Sequence, residues 1–473
     1  MAPDRLSTRR ARRASITLVV LCMSTALGIA IGSYVALCTR STQFSARMLQ
    51  REKARELAQV GLEEALWALN QNNWAASGPD GNAVWTTVGA NRTVTLTYPM
   101  TGQDVTGQVA LTVANYASTG PTWPTISANA TITLASGDTT TRTLQASTAP
   151  APLFGNAIAS SESYVSFTAG GTVDSWNSDP DNNPATPAVA YSFTAGAAAN
   201  YDAVVAGCTN GTYGVVLTQA TVRGYVATFG LPVSYSTSGS PPGKVLGPST
   251  AAATNVDTTR LGKSAFVPLA NVFSVTLPST SGPNFGGLLN NLLTLVSTLL
   301  ALPAGTDTLE FNGTLTINGT PLLAPNLVIS SPTKLIIDGD LAIAQGLLTT
   351  GKITITSTGS LELFVTGDLT IGGDGFDNQT NDPKKLAIYC TGGSTTDSVE
   401  YNTTRSFCGV IFCENKPIDI KQNATFSGAL LSREFVRFSG SATAPVFHYD
   451  TALRQTRFSA VATPYVLQQV TEL

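Results

Sequence analysis

The chain has 473 residues, 43% hydrophobic and only 12% charged, against about 25% charged in an average globular domain. Gly 42 and Pro 25 exclude collagen-like and Pro/Gly-rich chains, and a net charge of −3 with this apolar content excludes intrinsic disorder. One His in the whole chain excludes His-rich metal sites and most His-based catalysis, and the length implies more than one domain.

Charge is unevenly placed. Residues 1–70 carry ten of the 27 Lys+Arg and five of the 30 Asp+Glu, a net of +5, which leaves −8 for the remainder. Arg5, Arg9, Arg10, Arg12 and Arg13 fill a basic segment, 1–13, and residues 14–39 follow without a charge. As a helix those 26 residues span ~39 Å, enough to cross a ~30 Å hydrocarbon layer with tilt. A cleaved secretory signal would have a shorter apolar run and an A-x-A-like site. A lipoprotein signal would need a small residue before Cys38, where Leu37 stands, and a twin-Arg signal an apolar pair where Ala11-Arg12-Arg13 follows. An uncleaved transmembrane helix fits best, with the dense Arg cluster on the cytoplasmic side.

Residues 40–76 continue as an amphipathic helical stalk. Ala54, Ala58, Gly61/Leu62, Ala65 and Leu69 recur at three and four residues, a narrow stripe of small apolar groups. Either the chain's own next domain or a partner helix covers it. Trp67 and Trp74 flank the exit, and Ser77-Gly78-Pro79-Asp80-Gly81 is the expected stop.

Basic start, apolar helix, polar helix and then Ala58, Gly61, Leu62, Glu63, Glu64 and Ala65 resemble the opening of PilX-type pilus-assembly proteins, a minor-pilin-like family. Two features of ordinary type IV pilins are missing: a Gly–aromatic peptidase site before the apolar run, and Glu at its fifth position. The resemblance implies a structural or accessory role in a type IV pilus or pseudopilus-like system.

The rest reads as mainly β. Val94–Tyr98, Val109–Val113, Ala130–Leu134 and Thr141–Leu144 alternate apolar with polar residues, making a membrane-proximal β domain over 82–150. Ser136-Gly137-Asp138 supplies a hairpin turn and Ala146–Pro152 a linker. Beyond it, Leu309–Ile317, Leu335–Ile343 and Leu363–Ile371 align at offsets of 26 and 28 residues. A strand–turn–strand unit at near-constant period predicts a parallel β-helix, a solenoid, over 153–453. Phe154–Asn156 to Gly171–Ser175 is the expected first turn, 288–302 an inserted helix, and 454–473 a C-terminal tail. Gly409–Phe412, Gly428–Leu430 and His448-Tyr449-Asp450-x-x-Leu453 resemble the closing steps of the same family's β-helical ectodomain.

Several side-chain groups could carry chemistry. Cys22 and Cys38 are apolar fillers of the membrane helix. Cys390 and Cys413 share a context, Ile388-Tyr389-Cys390 and Ile411-Phe412-Cys413, and so occupy equivalent positions on adjacent turns, ~5 Å apart. A disulfide and a pair of buried free thiols both fit; Cys208 and Cys408 complete the extracytoplasmic set. Asp340 and Asp368 hold one repeat position on successive turns, where two carboxylates could act as acid and base or serve simply as turn residues. Asp174, Asn177, Asp179, Asp181, Asn182 and Asn183 make an oxygen-rich loop without the glycine and terminal Glu of an EF-hand. His448 reads as a structural residue of the last turn. No catalytic residue, cofactor or metal is assigned.

The sequence therefore describes a single-pass cell-membrane protein with an extracytoplasmic ectodomain, expected to be non-enzymatic, and the family resemblance implies service in a pilus-like system. Its expected partners are membrane lipid, pilin-like or secretion-system proteins through the N-terminal helix, and a surface glycan or protein ligand; nucleic acid is not among them. Two other classes stay open: a membrane-tethered polysaccharide-active β-helix enzyme using Asp340 and Asp368, and an adhesin without chemistry.

Overall fold

In the computed structural model a single helix, Arg5–Gln71, carries apolar segment and stalk without a break. The structure describes residues 5–75, 81, 83–100, 105–116, 123–134, 137–181, 183, 186–209, 211–228, 231–235, 242–250, 256–262, 274–275, 277–278, 308–312, 315–318, 326–345, 350–392, 397–440, 445–456, 458, 461–462 and 464–473. They form two units, Met1–Pro150 with Tyr465–Leu473, and Ala151–Pro464.

The first unit joins the helix to a six-stranded antiparallel sheet. Its strands are Thr86–Val88, Asn91–Met100, Val105–Ala114, Thr125–Leu134, Thr139–Pro150 and Tyr465–Glu472, neighbours in that order. Ala54, Leu57, Ala58, Leu62, Ala65, Ala68 and Leu69 are buried in one core with Leu96, Val109, Leu111, Ile126, Ala128, Ala130 and Ile132. The small-residue stripe thus lies on the chain's own sheet, and its smallness has a reason. A Cβ on Gly61 would come within 2.7 Å of Val109 Cγ1 and 2.8 Å of Leu111 Cδ2. The helix stops before the turn expected at 77–81. Asn72 takes a left-handed φ of 46°, and the Asn72 and Asn73 N–H groups donate to the Leu69 and Ala68 carbonyls, a Schellman arrangement that satisfies the last turn.

Residues 146–150, expected within a linker, and 465–472, expected as part of a C-terminal tail, pair antiparallel as strands, Tyr465 opposite Pro150 and Val470 opposite Ala146. Asn70 seals this pairing to the helix, accepting from the Tyr465 N–H at 2.6 Å and donating to its carbonyl at 3.0 Å. The whole second unit is therefore inserted between two adjacent strands of the small sheet.

That second unit is built of parallel strands stacked in walls, as in a β-helix. The sequence repeat is its register: Leu309, Leu335 and Leu363 are partners on one wall, and Ile317, Ile343 and Ile371 on the next. A third wall holds Asn326–Ile329, Lys352–Ile355 and Gly375–Asn378. The offset between partners falls from 28 residues (Leu335 to Leu363) to 19 (Ile411 to Leu430), and the third wall has no described strand beyond Gly375–Asn378.

The winding order differs from the expected one. Segment 154–175 is not the end of the stack. Val436 and Phe438, from the last turn, pair with Val165 and Phe167, which pair in turn with Val215 and Leu217. Stacked rings set this join, Phe167 on Phe438 with centroids 4.5 Å apart. The chain enters the solenoid in its middle, builds outward on one side, and returns from the other side to close on its own beginning. Segment 288–302, expected as an inserted helix, lies outside the described residues.

Candidate functional site: an unpartnered apolar helix and a buried polar seam

From Leu18 to Leu49 every residue of the helix is exposed among the described residues. Leu18, Leu21, Met23, Leu27, Ile29 and Leu37 are each 60% exposed or more. Its polar groups are folded back onto the backbone: Thr25 Oγ1 donates to the Leu21 carbonyl, Thr39 Oγ1 to Val35 and Thr42 Oγ1 to Cys38. Among the described residues it is the one helix long and apolar enough to cross a membrane. Cys22 and Cys38 lie on it, exposed.

A second feature arises where one wall of the solenoid is split. Gly171–Trp176 and Ala203–Gly207 both lie along Ala220–Ala227, the first on its opening half and the second on its closing half. The residues between them leave the wall as a strap. Trp176 Nε1 donates to the Val189 carbonyl at 3.2 Å, and Asn200 Nδ2 to the Ser175 and Ser192 carbonyls at 2.7 and 3.0 Å.

Beneath the strap, Asp174 accepts three hydrogen bonds. His448 Nδ1 lies 2.6 Å from Oδ1, while the Tyr191 hydroxyl and the Arg223 guanidinium donate to Oδ2 at 2.8 and 3.3 Å. The Tyr191 ring stacks on the imidazole with centroids 3.5 Å apart, and Arg223 lies over Phe193 at 4.3 Å. Burial, then the bond to Asp174, pushes the Tyr191 hydroxyl well up from its ordinary value. Nearby, Asp450 accepts from the Ser178 and Ala452 N–H groups and the Ser178 hydroxyl. His448 shares a rung with Ser427, and Ser427 with Cys408. The Cys408 thiol is pushed up to about 12 by burial and by Asp382 and Asp450, which leaves it a poor nucleophile. The cluster's evident chemistry is to fasten the strap across the gap.

The other sequence candidates have settled partners. Asp340 and Asp368 do stand on successive turns, and each caps the next one: Asp340 Oδ1 accepts the Asp368 N–H at 2.9 Å, and Asp368 Oδ1 accepts the Ser398 N–H at 2.6 Å. In the oxygen-rich loop, Asp179 pairs with Lys384 at 3.2 Å, which holds its carboxyl below the usual range. Asn177 and Asp181 accept local N–H groups, from Asp179 and Asn183, and Asn182 lies outside the described residues. Cys390 and Cys413 are register partners, both buried.

Sequence reasoning missed Asp174 as the partner of His448, along with Tyr191 and Arg223. It also missed Lys416, whose side chain has no exposed surface. Its Nζ donates to the Thr366 and Gly367 carbonyls and stands 3.6 Å from Asp397. A charged residue flanked by Asn415 and Pro417 carries no local sign that it is enclosed.

Residues 326–456 match a family described as a domain of unknown function, DUF7305. The match runs from Asn326–Ile329, the third strand of the first three-walled turn, to the His448–Leu453 step. No curated protein sequence matches the chain. Among solved structures the chain is similar to the competence-associated pilin ComZ of Thermus thermophilus, at 10% identity over 90% of this chain and 97% of that one, with a TM-score of 0.24.

Proposed function

We propose that this protein is a membrane-anchored, extracytoplasmic structural or accessory component of a type IV pilus or pseudopilus-like machine, acting without catalysis. One observation carries the reading. A single helix is apolar and exposed from Leu18 to Cys38, then packs through Ala54–Leu69 onto an antiparallel sheet. Such a helix can stay in a bilayer or pass into a bundle of like helices, while the sheet and solenoid remain outside. The pilin-like positions Ala58, Gly61, Leu62 and Ala65 supply the close helix–sheet contact. The hydrogen-bonded state of Asp340 and Asp368 supports a non-enzymatic role, and the solenoid surface is the part available to a glycan or protein ligand.

Membrane fractionation tests this. The full chain is expected in the membrane pellet after alkaline carbonate washing, and to co-purify with pilin-like proteins on mild detergent extraction. A chain lacking residues 1–49 should be soluble, with the β signature of its circular dichroism unchanged. Release of the full chain by carbonate would defeat the anchoring.

A further inference from the structure

Cys390 and Cys413 are register partners on the neighbouring strands Leu386–Cys390 and Phe407–Cys413. Neither has exposed surface; both thiols are free in the structure, and Cys390 adds to burial in raising the Cys413 thiol. Their rung continues Val365, Cys390, Cys413, Ser432 and Ser160, so these thiols meet each other amid groups that cannot react with them. In-register parallel strands hold paired Cα atoms about 4.8 Å apart, inside the disulfide range of roughly 4.4–6.8 Å. The remaining extracytoplasmic cysteines are placed differently: Cys408 shares its rung with Ser427, and the Cys208 backbone N–H donates to the Ser163 carbonyl.

We propose that Cys390 and Cys413 are joined as a disulfide that staples two turns of the solenoid when the chain folds outside the cytoplasm. The setting rests on the extracytoplasmic placement proposed above; the pairing itself rests on the register. Two S–H bonds break and one S–S bond forms. Two electrons and two protons pass to an acceptor disulfide, that of a thiol–disulfide oxidoreductase or of oxidised glutathione, whose S–S bond breaks to give two thiols. Both sulfurs are enclosed in the folded chain, and burial holds the Cys413 thiol well above its ordinary value. The attacking thiolate is therefore available while the turns assemble, before the rung closes. Lys416, enclosed three residues further on, reaches past the Cys390 turn to the Thr366 and Gly367 carbonyls on the turn beyond it.

The test uses the full chain in detergent, unfolded and reduced, then refolded in a mixture of oxidised and reduced glutathione. Free thiols are alkylated and the chain is digested without reductant. The expected result is a linked 390–413 peptide, alkylated Cys208 and Cys408, and a Tm several degrees above that of the reduced chain. Cys390→Val, which repeats the Val365 side chain on the rung, should fold with alkylated Cys413 and a Tm that no longer responds to reductant. Alkylated Cys390 and Cys413 in refolded wild-type chain, or bridges from either to Cys208 or Cys408, would overturn the proposal. Because refolding is done in vitro, the result stands apart from the carbonate-extraction test of localisation.

Discussion

Asp450 is held by two backbone N–H groups and the Ser178 hydroxyl, yet its carboxyl is raised above the ordinary 3.8 because burial outweighs those bonds. The sign of the pH effect follows. A carboxyl raised on folding favours the folded state at low pH, where it is protonated, and that contribution is lost as pH rises through the folded value. Asp450→Asn keeps an acceptor and a similar shape without the charge. Urea denaturation of wild type and Asp450→Asn from pH 4 to 7 should show a difference that moves in favour of the Asn variant as pH rises; a constant difference would remove Asp450 as its source. The sequence showed His448-Tyr449-Asp450 as one closing step, but not what each residue holds. Their partners, Asp174, Phe154 and Ser178, lie some 270 to 300 residues away, and no spacing rule reaches that far.

Among the elements, legibility followed repetition. Leu309, Leu335 and Leu363 could be aligned by eye because every turn must bury an apolar residue at the same rung, and the structure pairs them in that register. The helix stripe was readable from its 3.6-residue period, although what covered it was not. Strand Tyr465–Glu472 was not legible: Tyr-Val-Leu-Gln-Gln-Val-Thr-Glu alternates poorly, is interrupted by a register shift between Leu467 and Gln469, and is half exposed along its length. It nonetheless covers the edge of Thr139–Pro150. Deleting residues 465–473 uncovers that edge and removes the Asn70 contacts. The truncated chain is expected to lose several degrees of Tm in its first unit and to self-associate through the bare strand; light scattering and a thermal scan would show both. An unchanged, monodisperse product would mean the strand is dispensable.

On the scale of the whole molecule, local repeats say which strands neighbour one another in sequence, but not which turn closes on which. The join of Val436–Phe438 to Val165–Phe167 is set by ring stacking and could be found only in three dimensions. It makes a specific energetic claim. Phe167→Ala and Phe438→Ala should each cost about 3–5 kcal/mol, and a double-mutant cycle should return a coupling of about 0.5–1.5 kcal/mol. Additive losses would indicate a solenoid wound in plain sequence order.

The placing of Pro150 opposite Tyr465 has a mechanical consequence. A domain hung from one linker bears every tug through one covalent strand, and a single proteolytic nick there sets it adrift. Here the solenoid leaves and re-enters the small sheet through two covalent connections, each rooted in one of a pair of neighbouring strands. Cutting either connection alone leaves the other still holding.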